Sequence, residues 1–143
     1  MHNIEINTFV NSFAIKPNNS MSFLLGAGAS ISSGILSGGQ MVWDFKRNLY
    51  CASKNIRTSN FPDIQRFFDG QAGNPSLLSS EEYSFYFERC YPARKDRELY
   101  IQNKVRDVKP SLGYLCLGEL IIHEKIGVVS TTNFDDLVLA GIH

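Results

Sequence analysis

Apolar residues at Ile6, Phe9, Val10 and Phe13 recur at i, i+3, i+4 and i+7 and predict a short N-terminal helix with one apolar stripe, ended by Pro17-Asn18-Asn19-Ser20. Ser22-Phe23-Leu24-Leu25 follows as a short run bounded by turn residues, the pattern of a strand buried on both faces of a parallel sheet. From Gln40 to Cys51, Met41, Phe45 and Leu49 repeat every four residues and Val42 widens the stripe, which predicts a packing helix with its charges on the opposite face. Ile64, Phe67 and Phe68 place a second helix over Asp63 to Asp69, and Gly70 to Pro75 is a loop by composition. Ser79 stands three residues before Glu82, the capping-box spacing, ahead of Tyr83, Tyr86, Phe87 and Cys90 on one helical face. That aromatic stripe reads as core, because no basic residue is interleaved before Arg89. Asp96 is placed to cap a further helix that runs through Val105.

Pro110 and Ser111 open a helix that Leu112, Leu115, Leu117, Leu120 and Ile121 make apolar over a broad face, so it is expected against the sheet. Gly113 and Gly118 would allow close backbone approach there. Ile126-Gly127-Val128-Val129-Ser130 reads as a second buried strand, and Asp135 to Ala140 starts another helix. Two strands separated by helices predict an α/β fold, with residues 40–109 as a helical module inserted between them. The chain has no internal repeats, no low-complexity tract and no long linker, so residues 1–143 are expected to form a single domain.

Composition narrows the function classes. A chain of 143 residues, 43% hydrophobic, is large enough to bury one core. Its 14 basic and 14 acidic residues cancel without a basic stripe, which disfavours direct nucleic-acid or membrane-surface binding. No apolar stretch approaches the roughly 20 residues a bilayer span needs. The first residues lack a basic start and an apolar core, so the expected location is cytoplasmic. Cys51, Cys90 and Cys116 are odd in number with no C-x-x-C pair, which excludes a zinc ribbon and disfavours disulfides; no metal is expected. Cys116, in an apolar helical stretch, reads as a buried small hydrophobe.

Candidate chemistry begins where the first strand ends. Gly26-Ala27-Gly28-Ala29-Ser30 lets the backbone turn sharply and bring amide N–H groups to a phosphate, since glycine tolerates positive φ; Ser30 adds a hydroxyl. Taken alone, the same loop is equally a plain strand-to-helix turn. The dinucleotide fingerprint needs a third glycine where Ile31 stands, the next being Gly34, and no lysine follows at Walker-loop spacing. An ordinary dehydrogenase and a nucleotide triphosphatase are both disfavoured. Thr132, Asn133 and Asp135 lie at the carboxyl end of the second strand, where open α/β sheets bind ligands; the alternative is that Asn133 or Asp135 caps the next helix.

In motif order and spacing, Gly26-Ala27-Gly28-Ala29-Ser30 with Ser33-Gly34-Ile35, Pro110-Ser111-Leu112-Gly113-Tyr114, and Thr131-Thr132-Asn133-Phe134-Asp135 together resemble the sirtuin family over most of the chain. Within it the chain is most similar to bacterial sirtuin-like effector domains that lack the zinc module and hydrolyse NAD in anti-phage defence, a likeness that Met41 to Arg47 shares. The resemblance implies a Rossmann-like parallel sheet. It implies that Gly26, Ala27, Gly28, Ala29 and Ser30 hold the NAD pyrophosphate, with Gly34 and Thr132 also among the cofactor-binding residues. It further implies that Asn133, as the catalytic residue, contacts the nicotinamide ribose and that Asp135 approaches the carboxamide. The implied reaction is NAD cleavage to nicotinamide and ADP-ribose, controlled by homo-oligomerisation, a sensor domain or a partner subunit. An NAD-dependent deacylase and a non-catalytic NAD or ADP-ribose sensor are the alternatives.

The chain also departs from the deacylating branch. Leu36 replaces the proline after Gly-Ile, no Asp-Phe-Arg follows directly, and Tyr114 stands where deacylases often carry histidine. The family's catalytic histidine lies tens of residues beyond the asparagine motif, and His2, His123 and His143 match no family position, His123 reading as a helix-surface residue. With only two clear strands besides, the domain is expected to be incomplete at its C-terminus: a fragment, a truncated product or half of a split protein.

Overall fold

The computed structural model describes residues 5–69 and 71–143. The first four residues, His2 among them, and Gly70 of the expected loop lie outside them. Over the described residues the protein is mixed α/β, predominantly helical, with one parallel pair of strands. It forms two compact units: one is Gly34–Asp107, and the other joins the described residues up to Ser33 with Val108–His143.

The discontinuous unit carries helix α1 (Ile6–Ile15), strand β1 (Met21–Leu25), a 3-10 helix (Ala27–Ser33), helix α6 (Leu112–Ile122), strand β2 (Ile126–Thr131) and the short helix α7 (Leu137–Ala140). β1 and β2 run parallel, with Phe23 opposite Val129 and Leu25 opposite Thr131. Thr132 extends the ladder by donating its N–H to the Leu25 carbonyl at 3.1 Å. Phe23 and Leu25 share a cleft of about 220 Å³ with Tyr114 and Leu117 of α6. The opposite face is open: Leu24 is 77% and Val128 is 55% exposed. Burial on both faces, expected for these strands, is therefore not what forms, because side chains alternate across a strand and this sheet is covered on one face.

α1 forms where the periodicity puts it, yet its stripe stays largely in solvent, with only Phe13 approaching Phe23, ring to ring, at 6.3 Å. α6 likewise buries a narrower stripe than expected: Tyr114, Leu117 and Gly118 are buried, while Leu112 and Leu115 are exposed. Cys116, two residues from Tyr114, falls on the outer side and is exposed rather than buried. Gly118 does permit close approach, since a Cβ there would run into the Gly141 carbonyl, and one on Gly141 would run into the Tyr114 carbonyl. Gly113 has no such role; its nearest neighbour would be Ser111 Oγ at 3.7 Å.

The contiguous unit is built from α2 (Gly38–Lys54), α3 (Phe61–Asp69), α4 (Glu82–Cys90) and α5 (Arg94–Val105). Ser37 caps α2 in a capping box with Gln40, a start signal ahead of the residue where the apolar repeat begins. Phe45, fully buried, stacks on Phe87 at 4.8 Å and meets Tyr100 at 5.2 Å and Tyr83 at 5.7 Å, so the aromatic stripe of α4 is core. The charges of α2 are not all opposite its apolar face. Lys46 is 3% exposed, paired with Glu82 and lying over the rings of Trp43 and Tyr86.

That pair explains a second departure. Glu82 binds Lys46 with one carboxylate oxygen and accepts the Leu78 N–H with the other, so the capping box with Ser79 does not form. Ser79 Oγ is left buried without a partner, and Glu81 is the N-cap. Asp96 sits inside the first turn of α5, whose N-cap is Ala93, and favours that helix end by charge instead of by capping.

Candidate functional site

The two strands end side by side, so the loops that leave them are brought together at one edge of the sheet. After Leu25 the chain passes through Gly26 into the 3-10 helix, and after Thr131 it passes through Thr132 and Asn133 toward α7. Ser30, 1% exposed, stands at the junction. Its Oγ lies 2.7 Å from Asp135 Oδ2, 2.9 Å from Asn133 Nδ2 and 2.9 Å from the Tyr114 hydroxyl. Asn133 also donates its side-chain N–H to the Gly26 carbonyl at 3.1 Å, and its backbone N–H to Thr131 Oγ1 at 3.0 Å.

This arrangement fixes what Asn133 offers. Both of its amide hydrogens are committed, so the free end of the side chain is the acceptor Oδ1, which is buried and has no partner. A buried acceptor without a donor costs about 1–3 kcal/mol, which is a reason to look for a bound hydroxyl or N–H at that spot. Asp135 divides its carboxylate: Oδ2 accepts from Ser30, and Oδ1 accepts the Leu137 N–H at 3.3 Å, at the start of α7. The N-cap of α7 is Asp136, so the bond from Leu137 is a turn contact ahead of the helix and neither Asn133 nor Asp135 is the cap.

The glycines behave differently from the expectation that they supply positive φ. Among the described glycines only Gly34 and Gly73 have it, at 92° and 87°. Gly26 and Gly28 have neither that conformation nor any neighbour: a Cβ on either would meet nothing within 4 Å. Nothing within the described chain therefore requires glycine at these positions, and the space a side chain would fill lies open beside the strand ends. Such a loop lets another molecule's oxygens approach the backbone closely.

Of the remaining sequence-predicted residues, Ala27 is exposed and Ala29 half-buried in the 3-10 helix, and Thr132 is exposed on the sheet ladder. Gly34 is the first residue of the contiguous unit and is not among the groups joined at Ser30. Tyr114, which the sequence marks as part of a motif and as standing where deacylases often carry histidine, was not assigned to the site and is the residue missed. It is 4% exposed, and its hydroxyl reaches the Ser30 hub. The available signal is a tyrosine amid aliphatic residues on an apolar helix, since a buried phenol needs a partner. His123 is the exposed C-cap of α6, 3.5 Å from Glu119.

The contiguous unit has a groove of about 420 Å³ beside Trp43, Asp44, Arg47 and Phe61. Its polar groups are already matched, because Asp44 takes Arg47 at 2.8 Å, Lys104 at 3.1 Å and the Tyr100 hydroxyl at 3.0 Å. Burial and the Asp44 carboxylate push the Tyr100 phenol well above its ordinary range, and burial raises the Cys90 thiol, so neither is primed as a nucleophile. Among the described residues no group of three or more His, Cys, Asp or Glu is placed to hold a metal ion, and no helix is long and apolar enough to cross a membrane.

The class defined by these observations is a mixed α/β protein whose parallel strand ends converge on a buried polar cluster beside an unobstructed glycine loop. Compared with family models and with curated proteins, the chain finds no match.

Proposed function

We propose that the discontinuous unit binds NAD, with Gly26 to Ser30 taking the pyrophosphate, Asn133 the nicotinamide ribose and Asp135 the neighbourhood of the carboxamide. The observation that carries this reading is the orphaned Asn133 Oδ1 beside glycines whose missing side chains nothing else in the described chain accounts for. A ribose hydroxyl or a water is a donor of the right kind for that oxygen, and a pyrophosphate is a group that gains from close backbone approach. The parallel strand pair with ligand groups at its carboxyl end is in keeping with a Rossmann-like sheet of the sirtuin type.

The reaction we assign is NAD glycohydrolysis: water forms a bond to the anomeric ribose carbon as the bond to the nicotinamide nitrogen breaks, releasing nicotinamide, ADP-ribose and a proton. Asn133 contributes by holding ribose or water in a fixed direction with an amide that needs no reorganisation, since Gly26 and Ser30 already fix it. The resemblance to bacterial effector domains carries the cellular role we propose: depletion of NAD in cytoplasmic anti-phage defence, controlled by oligomerisation or by a sensor or partner subunit.

Calorimetric titration with NAD, together with Asn133→Ala, tests the binding. The wild-type chain is expected to bind, and the variant to lose binding while keeping the far-UV circular dichroism of a folded chain; a wild-type chain that gives no heat with NAD overturns the assignment. Product analysis on NAD alone and with an acylated peptide tests the reaction. Nicotinamide with free ADP-ribose supports the hydrolase, and O-acyl-ADP-ribose rejects it in favour of the deacylase.

A further inference from the structure

We infer that Tyr114 is a positioning residue for this site: its hydroxyl holds Ser30, and through Ser30 it sets the direction of Asn133 and Asp135. The inference deepens the NAD-binding reading and rests on it for its functional meaning.

The proton count at Ser30 gives the direction of every bond. The Ser30 hydroxyl has one hydrogen and two acceptor lone pairs. Asp135 Oδ2, at 2.7 Å, belongs to a carboxylate and can only accept, so it takes that hydrogen. Asn133 Nδ2 can only donate, and it fills one lone pair at 2.9 Å. The remaining lone pair faces the Tyr114 oxygen at 2.9 Å, so Tyr114 is the donor. The chain runs Tyr114 to Ser30 to Asp135, with Asn133 entering from the side, and Ser30 Oγ is then saturated. Without the phenol hydrogen, Ser30 keeps a free lone pair in a buried place and loses the contact that opposes its turning away from Asn133.

Tyr114 is itself held from behind. It is one of the buried residues of α6, with Leu117 and Gly118, and its carbonyl lies against Gly141, at a distance only glycine permits. Because the Gly141 carbonyl in turn lies against Gly118, α6 and the chain after α7 meet backbone to backbone along the helix that carries Tyr114. Asn133 is thus held by two acceptors of different standing. The Gly26 carbonyl comes from the loop itself, and the Ser30 hydroxyl is anchored from α6.

The test reads Asn133 directly and then its ligand. Side-chain amide signals of Asn133, assigned by their disappearance in Asn133→Asp, are recorded by NMR for wild type, Tyr114→Phe, Ser30→Ala and the double variant, without ligand. Tyr114→Phe keeps the buried ring, and it is expected to shift the Asn133 pair and speed its hydrogen exchange. Ser30→Ala should do the same, with the double variant no worse than Ser30→Ala alone, as required if Tyr114 acts only through Ser30. Titrated with NAD, Tyr114→Phe should bind about tenfold more weakly, the scale of one lost hydrogen bond. Unchanged Asn133 signals in Tyr114→Phe, or effects that add in the double variant, overturn the inference. A wild-type chain that ignores NAD while the Asn133 shift appears overturns the NAD reading instead and supports the coupling.

Discussion

The contiguous unit spends its aromatic residues on a closed interior, whereas the discontinuous unit leaves much of its apolar surface open and buries polar groups. In the first, Phe45, Phe68 and Tyr86 are at most 5% exposed and the buried charges of Lys46 and Glu82 satisfy each other. In the second, Ile6, Leu24 and Phe134 are each at least 77% exposed, while Ser30 is 1% exposed and Asn133 keeps an unmatched acceptor. The difference separates two uses of the same chain chemistry. Each unit holds a buried oxygen without a partner, Ser79 Oγ in the first and Asn133 Oδ1 in the second, and it is the second that lies beside glycines with vacant space around them, a place for something else.

The comparison is broken most severely at Lys46. Replacing it by Ala leaves Glu82 buried without its cation, and the expected loss is about 3–5 kcal/mol. Urea unfolding followed by Trp43 fluorescence reads this directly, because the protein has a single tryptophan and it belongs to this unit. Replacing both partners by apolar residues of similar volume should recover most of the loss; failure to recover would mean that the pair is not simply a matched burial. A smaller effect is expected from Gly118→Ala, which forces apart the backbones of α6 and the Gly141 turn. About 1–3 kcal/mol is the scale of such overpacking, with faster amide exchange in α6 as the sign that the damage is local. Leu24→Ser should be close to neutral, within about 0.5 kcal/mol in urea unfolding, because Leu24 is already 77% exposed. A large loss there would show that the open face of the sheet is covered in solution.

The elements of both units are legible in the sequence, and how each is covered is hidden for identifiable reasons. Apolar repeats locate the helices at Ile6–Ile15, Gly38–Lys54 and Leu112–Ile122, and short apolar runs between turn residues locate both strands, because these patterns are local. They say nothing reliable about which stripe is covered, so Leu24, Val128 and Cys116 are exposed where burial was expected. Covering depends on neighbours that come from elsewhere in the chain. The same limit hid Lys46 with Glu82: the serine at the capping-box spacing was visible, but the competing cation is 36 positions away and binds the glutamate more strongly than a backbone N–H does. At the candidate site, the motifs named Ser30, Asn133 and Asp135. The role of Tyr114 depends on an oxygen 84 positions away and could not be read from spacing.

The separation of the two halves of the site has a kinetic meaning. Asn133 and Gly26 are 107 positions apart, and the strands that carry them pair in parallel. Closing so long a loop in an unstructured chain is entropically costly and slow, and contacts of high sequence separation are the ones that delay folding. Gly34–Asp107 is continuous in sequence, so it can compact on its own contacts and shorten the free chain between Ser33 and Val108. Because β2 also follows that whole segment in the chain, the polar cluster at Ser30 cannot be completed until Tyr114, Asn133 and Asp135 have all been made.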